Sequence, residues 1–190
     1  MAIHIPGNRI LLRDWIAEDL PACRYWQLGS HRWKELDGPY YQTSDAETEK
    51  RLAILEEKVL AKDFPEPRVR LVIADMSTNA FMGTVACNWI SQETSWLAAG
   101  ISIHDPLHWG AGFGKEALSL WIDYLFANRP ELVRLDLQTW SGNQGMARLA
   151  LKLGFQLEGC FRKARVVNGK HFDSLQFGIL REEWMARKKV

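Results

Sequence analysis

The chain has 190 residues, 47% apolar and 25% charged, the balance of an ordinary globular protein and not of a disordered, collagen-like or fibrous one. Lys and Arg number 24 against 23 Asp and Glu, so a net charge of +1 leaves no electrostatic footprint for a nucleic acid or a membrane surface. Cys23, Cys87 and Cys160 lie far apart, with no C-x-x-C pair and no zinc-type Cys/His spacing, which speaks against a disulfide framework.

Residues 1–13 carry charge and a proline where a secretory signal needs an apolar run, and no apolar stretch approaches membrane-spanning length. The expectation is a single cytoplasmic domain over residues 1–190. Within the first stretch, Arg9-Ile10-Leu11-Leu12-Arg13 reads as a strand, an apolar run flanked by charge. Asp19-Leu20-Pro21 opens a helix, because Asp caps and Pro is tolerated in a first turn, and that helix runs to Gly29. Residues 29–43 form a long loop of the kind that often carries function, although a helical turn over 32–36 is equally allowed. Ser44-Asp45-Ala46-Glu47 is a capping box, and the helix it starts puts Leu52, Leu55 and Val59 on one face and ends before Pro65.

Residues 69–74 and 81–89 are apolar, β-branched runs joined by Ser77-Thr78-Asn79, hence a hairpin, and 96–103 adds a third antiparallel strand. The pattern then changes to helix (112–127), strand (132–139), short helix (144–153) and strand (155–167). Asn168-Gly169 turns the chain into a return strand over 172–180. The order predicts an α/β fold, a mixed sheet with helices on its faces.

Between the strand at 96–103 and the following helix stands His108-Trp109-Gly110-Ala111-Gly112-Phe113-Gly114-Lys115. Glycines at alternate positions let the backbone turn tightly and bring N–H groups against a ligand, while a helix N-terminus adds partial positive charge. Both features suit a phosphate or pyrophosphate, and a plain turn is the alternative. The dinucleotide fingerprint does not fit, since Lys115 stands where its third glycine belongs and Asp136 lies within its strand instead of at its end. His104 and His108 have the spacing of a helical metal pair, but Pro106 between them argues against a helix and no third ligand accompanies them, so no metal is expected.

Several blocks, in order, carry a family resemblance. The glycine loop within the stretch from Trp109 to Ala117, which follows Gly100-Ile101-Ser102-Ile103, and Asn143 with Gly154-Phe155 of Lys152-Leu153-Gly154-Phe155 beyond it are the specific ones. The opening strand with its acidic-capped helix, Glu158-Gly159, Asn168-Gly169-Lys170 with Asp173, and Leu180-Arg181-Glu182-Glu183-Trp184 support them. Together they resemble the GNAT superfamily of acetyl-CoA-dependent N-acetyltransferases, and within it the RimJ/RimL-type branch.

The resemblance implies a mostly antiparallel central sheet splayed between its fourth and fifth strands, with helices on both faces. A pantetheine arm would insert there, against the backbone of Ile101, Ser102 and Ile103 and that near 138–140. Trp109, Gly110, Ala111, Gly112, Phe113, Gly114 and Lys115 would hold the pyrophosphate, mostly by main-chain N–H, and Asn143 would contact the cofactor arm. Acetyl-CoA is the implied co-substrate. The implied partner is an amine acceptor, either a small molecule or a peptide or protein N-terminus, with no nucleic acid and no membrane, and homodimer assembly is left open.

The chain departs from the family where proton transfer is concerned. Family members place a Tyr seven residues after the Asn, or a Ser three after it, as donor to the thiolate; here Ala150 and Met146 stand there. The strand after Gly159 offers Arg162, Lys163 and Arg165 where a carboxylate base is usual. Ser141 is the replacement candidate for the donor, with turn chemistry as its other reading. Asp173 and Glu93 are candidates to hold a water or an amine, against simple solvation. Trp33, Tyr40 and Tyr41, with Glu35 and Asp37, are placed by the resemblance in the acceptor wall, where aromatics beside carboxylates suit a cationic amine, or else they fasten the loop to the body. A non-catalytic CoA-binding module or sensor is the alternative function that the missing acid and base motivate.

Overall fold

The computed structural model describes residues 2–41 and 43–187. Its eight-stranded sheet runs β1 (His4–Pro6), β2 (Ile10–Arg13), β3 (Arg70–Asp75), β4 (Phe81–Ser91), β5 (Trp96–Ile103), β6 (Arg134–Trp140), then β8 (Lys170–Leu180) and β7 (Gln156–Val167) at the far edge. Neighbours are antiparallel except β5 and β6. A parallel pair needs a crossover, and α3 (Phe113–Asn128) supplies it. The other helices are α1 (Leu20–Gln27), α2 (Asp45–Ala61), α4 (Gln144–Lys152) and α5 (Arg181–Arg187).

The pleat divides the apolar side chains between two layers, so helices cover both faces. Leu71, Ile73 and Val85 pack with Leu118, Trp121, Ile122 and Leu125 of α3 and with Trp184 of α5. Leu11, Val72 and Ala74 face the opposite way, against Cys23 of α1 and Leu52 and Val59 of α2. The capping box of α2 is formed as its residues predict, with Ser44 Oγ accepting the Glu47 N–H and the Glu47 carboxylate accepting the Ser44 N–H. Asp19 departs from expectation. Its carboxylate makes no cap to α1 but takes both guanidinium arms of Arg13 at 2.7 and 2.8 Å, together with the Ile16 N–H at 3.0 Å. A buried bidentate pair thereby locks the end of β2 to the start of α1.

β5 and β6 are in register only over Leu97, Ala98 and Ala99 with Leu135, Asp136 and Leu137. Beyond that they part, because β4 holds β5 as far as Ile103 and β8 holds β6 as far as Trp140. The predicted splay is therefore present, and its mouth lies at residues 100–103 and 138–140.

Candidate active site

The His104 N–H donates to Met82 on β4 at 3.0 Å. Antiparallel alternation then turns Ser102 and Gly100 toward β4 as well, leaving the N–H and C=O of Ile101 facing the gap. The Ile103 carbonyl, which also faces away from β4, accepts the Trp109 indole N–H at 2.8 Å. That bond anchors the glycine loop to the free edge of β5.

Gly110 and Gly112 sit at φ 75° and 93°, a left-handed backbone that side chains resist, and Gly112 is the N-cap of α3. Among the described residues, no N–H from Gly110 to Lys115 finds an acceptor. A run of unpaired donors at a helix N-terminus is a cradle for a phosphate group. Arg9, in sequence only the start of a strand, braces this cradle: its guanidinium donates to the Ala111 carbonyl at 2.9 Å and lies 4.5 Å from the centre of the Phe113 ring. Glu116 reaches back from the first turn of α3 to accept the N–H of Arg9 at 2.9 Å.

At the other wall of the splay, Ser141 and Asp173 come together. The Ser141 N–H donates to the Asp173 carbonyl at 2.9 Å, and the Asp173 N–H donates to Ser141 Oγ at 3.0 Å. The Ser141 hydroxyl proton is thus left available, while the Asp173 carboxylate accepts the Lys163 N–H at 2.8 Å inside the β7–β8 hairpin. Asn143 is occupied at both ends of its amide: Oδ1 caps α4 through the Met146 N–H, and Nδ2 donates to the Leu36 carbonyl at 3.1 Å. The Trp140 indole N–H donates to the same carbonyl at 2.9 Å.

Those two bonds carry the loop over 29–41 to the mouth of the splay, where the next residue, Asp37, accepts the Ser102 hydroxyl at 2.9 Å. Asp37 is open to solvent on the cleft side and closely surrounded by protein elsewhere. The lost solvation raises its carboxyl above the ordinary range, offset in part by the Ser102 hydrogen bond and the positive charge of Arg70. Glu35 is exposed and does not line the cleft. Trp33 does, buried beneath it, its indole donating to the Trp26 carbonyl at 3.0 Å. Tyr41 lines the rim, whereas Tyr40 packs edge-on against Trp140 with the Arg165 guanidinium 4.7 Å from its ring. Tyr40 is therefore already engaged by a cation of the protein itself.

Glu93 lies in the turn between β4 and β5, accepting the Ser91 hydroxyl at 3.0 Å. Burial pushes the Cys23 and Cys87 thiols up to about 11, which keeps both protonated and unreactive. Among the described residues, no group of His, Cys, Asp and Glu could hold a metal ion, and no helix is long and apolar enough to cross a membrane.

Residues 9–156 match a family model described as an acetyltransferase (GNAT) domain. The chain is 31% identical over 178 residues to the protein named "Uncharacterized N-acetyltransferase p20" of Bacillus licheniformis, covering 93% of this chain and 96% of that one. Among solved structures, the spermidine N-acetyltransferase of Vibrio cholerae, in complex with CoA and spermine, superposes with a TM-score of 0.72 at 21% identity, over 94% of this chain and 99% of that one. RimL, a ribosomal L7/L12 alpha-N-protein acetyltransferase in complex with coenzyme A, does so with a TM-score of 0.69 at 22% identity, over 94% and 98%.

Proposed function

Because the chain belongs to the GNAT acetyltransferase family, we propose that it transfers the acetyl group of acetyl-CoA to a primary amine within a ternary complex, with Asp37 taking the proton from the amine. The position of Asp37 across the mouth of the splayed strands carries this reading. The domain is taken to extend over residues 1–190.

The residues present fit the co-substrate. The unpaired N–H groups from Gly110 to Lys115 would hold the pyrophosphate, with Arg9 adding positive charge beside them. The free backbone groups of Ile101 would bind the pantetheine arm in the way an added strand is bound, and its N–H is the available donor near a thioester carbonyl. The thioester supplies an activated acetyl carbon with a thiolate leaving group. Everything else is positioning and proton transfer.

An amine with a pKa near 10 is almost wholly protonated at neutral pH and cannot attack until a base takes a proton. Asp37 fills the role for which the usual strand position offers only cations, and its raised pKa makes it a better base than an ordinary carboxylate. Ser141, whose Oγ accepts from Asp173 and retains its own proton, would donate to the departing sulfur. In this assignment the carboxylate of Asp173 braces its hairpin and leaves proton transfer to Asp37.

The glycine loop and the spaced Asn143 with Gly154-Phe155 support placement in the RimJ/RimL-type branch, with a small amine or a peptide or protein N-terminus as acceptor. The test is thiol release from acetyl-CoA against a panel of amines and N-terminal peptides. Turnover that falls on Asp37→Asn supports the reading. Tight acetyl-CoA binding without turnover for any acceptor would instead make the chain a CoA-binding module.

A further inference from the structure

The α1/α2 side of the sheet holds a cavity of about 530 Å³ whose lining includes Asp37 and Ser102. Its charged lining is unbalanced, with Lys34, Arg51 and Arg70 set against Asp37 alone. The Lys34 amino group is occupied by the Gln27 and Gly29 carbonyls at 2.5 and 2.8 Å. The guanidiniums of Arg51 and Arg70 make no hydrogen bond and no salt bridge among the described residues. Nearby guanidiniums behave differently: Arg13 pairs with Asp19 and Arg24 with Glu49. Both side chains are exposed and interact only through space, Arg51 with Glu47 and Arg70 with Asp37, so both guanidiniums remain free to take an anion in the cleft.

A second, independent feature lies in the same cavity. His104 is 1% exposed, packed 4.5 Å from the Trp33 ring, and neither of its ring nitrogens has a partner. An imidazole held this way lacks the hydrogen bonds that buried polar groups normally find, which marks this wall of the cavity as polar and unsatisfied.

Strand register sets the length of that ligand. Arg70, Ala86 and Gly100 are successive cross-strand neighbours on β3, β4 and β5. Ala86 is small, and a Cβ built on Gly100 would meet nothing closer than the Ala86 carbonyl oxygen at 4.0 Å. The floor between Arg70 and the edge of the splay is therefore open across two strand spacings, about 10 Å. Asp37 stands over Ser102, two residues along β5 from Gly100.

We infer that the acceptor is a primary amine that also carries an anionic group, a carboxylate or a phosphate, held by Arg70 and Arg51 while the amine faces Asp37. The inference rests on the acetyltransferase reading above. A polyamine is disfavoured on the same grounds, because its second ammonium would meet two guanidiniums.

The test compares kcat/KM for matched acceptors in a thiol-release assay: amino acids against their amides, and O-phosphoethanolamine against ethanolamine. These two arms separate a carboxylate from a phosphate. At least one anionic series should exceed its neutral counterpart by 10-fold or more. That ratio should collapse toward one in Arg70→Gln and in Arg51→Gln, mainly through KM, and Arg70→Lys should retain part of it. Parity in both series for the unmodified protein, or a preference that survives both Gln substitutions, overturns the inference and leaves the acetyltransferase reading standing. Thermal shift of the coenzyme A-loaded protein gives a readout independent of turnover. If no amine is acetylated but anionic amines still raise the melting temperature, and fail to do so in Arg70→Gln, the anion site stands and the catalytic reading falls. If neither signal is seen, both fall.

Discussion

Ser102 on β5 donates its hydroxyl to Asp37 at 2.9 Å, and through that bond a carboxylate from a distant loop is fixed over the open end of the sheet. The preceding residue is held from the other side, since the Leu36 carbonyl accepts from Trp140 at the end of β6 and from Asn143 at the start of α4. One dipeptide thus bridges both walls of the splay. A base held in this way loses little entropy when an amine arrives, which is the condition for efficient proton transfer.

Asp37→Asn should lower kcat/KM at neutral pH by about 100-fold, within the range general bases contribute. Ser102→Ala tests the same bond more gently. The Ser102 hydrogen bond lowers the Asp37 pKa, so its loss should raise that pKa and move the acid limb of the pH–rate profile to higher pH. An unchanged profile in Ser102→Ala, together with a full rate in Asp37→Asn, would remove Asp37 from the chemistry.

Gly112→Asp should weaken acetyl-CoA binding by at least about 100-fold. The substitution forces a side chain onto φ 93°, brings its Cβ to 2.9 Å from the Arg9 guanidinium, and sets a negative charge among the donors meant for pyrophosphate. Calorimetry reads the affinity, and a thermal melt separates lost binding from lost folding. A well-folded variant that binds acetyl-CoA normally would take the pyrophosphate away from this loop.

The parts of this site that could be read in the sequence were those built from local chemistry. Alternating glycines ahead of a helix announce a loop that needs positive φ, and a period-two apolar pattern announces strands, because both depend on neighbours only a few residues away. Asp37 and Glu35 look alike in sequence, and what separates them is the docking of Leu36 onto Trp140 and Asn143, more than a hundred residues later. Arg9 likewise reads as a strand flank until the fold sets it against Ala111. The short edge strand β1 is not legible in the sequence, because His4-Ile5-Pro6 has too few residues to show a period and ends in a proline, which only an edge tolerates.

His104 gives the protein an acid sensitivity that can be measured. Burial, reinforced by the positive charges of His31, Arg70 and Lys34, lowers its pKa from 6.5 to about 4, so it is neutral when folded at neutral pH. The unfolded chain binds the extra proton first as pH falls, so this contribution is fully present above pH 6.5 and is lost on descending from there toward pH 4. The loss amounts to roughly 3 kcal/mol at the low end. Urea unfolding at a series of pH values should show this slope in the unmodified protein and a flatter one in His104→Phe. Parallel curves for the two proteins would assign the acid sensitivity to other groups.

Gly142→Ala should damage catalysis more than cofactor binding, because of what the missing side chain leaves room for. A Cβ at this position would overlap the Trp140 indole, so the ring would have to leave its place. The indole N–H is one of the two donors holding Leu36, so its displacement frees the dipeptide that carries Asp37. The glycine loop lies on a different element and keeps its own brace through Arg9. The expected result is a stability loss of about 1–3 kcal/mol from overpacking, at least a 10-fold fall in kcat, and an acetyl-CoA affinity that changes far less. Gly145→Ala is the matched control. It lies in α4, its Cβ would sit 3.6 Å from Asn143 Oδ1 in ordinary contact, and Ala is favoured over Gly in a helix by about 0.5–1 kcal/mol. If Gly142→Ala and Gly145→Ala turn over equally well, Trp140 does not position the base, and the link from the end of β6 to Asp37 is broken.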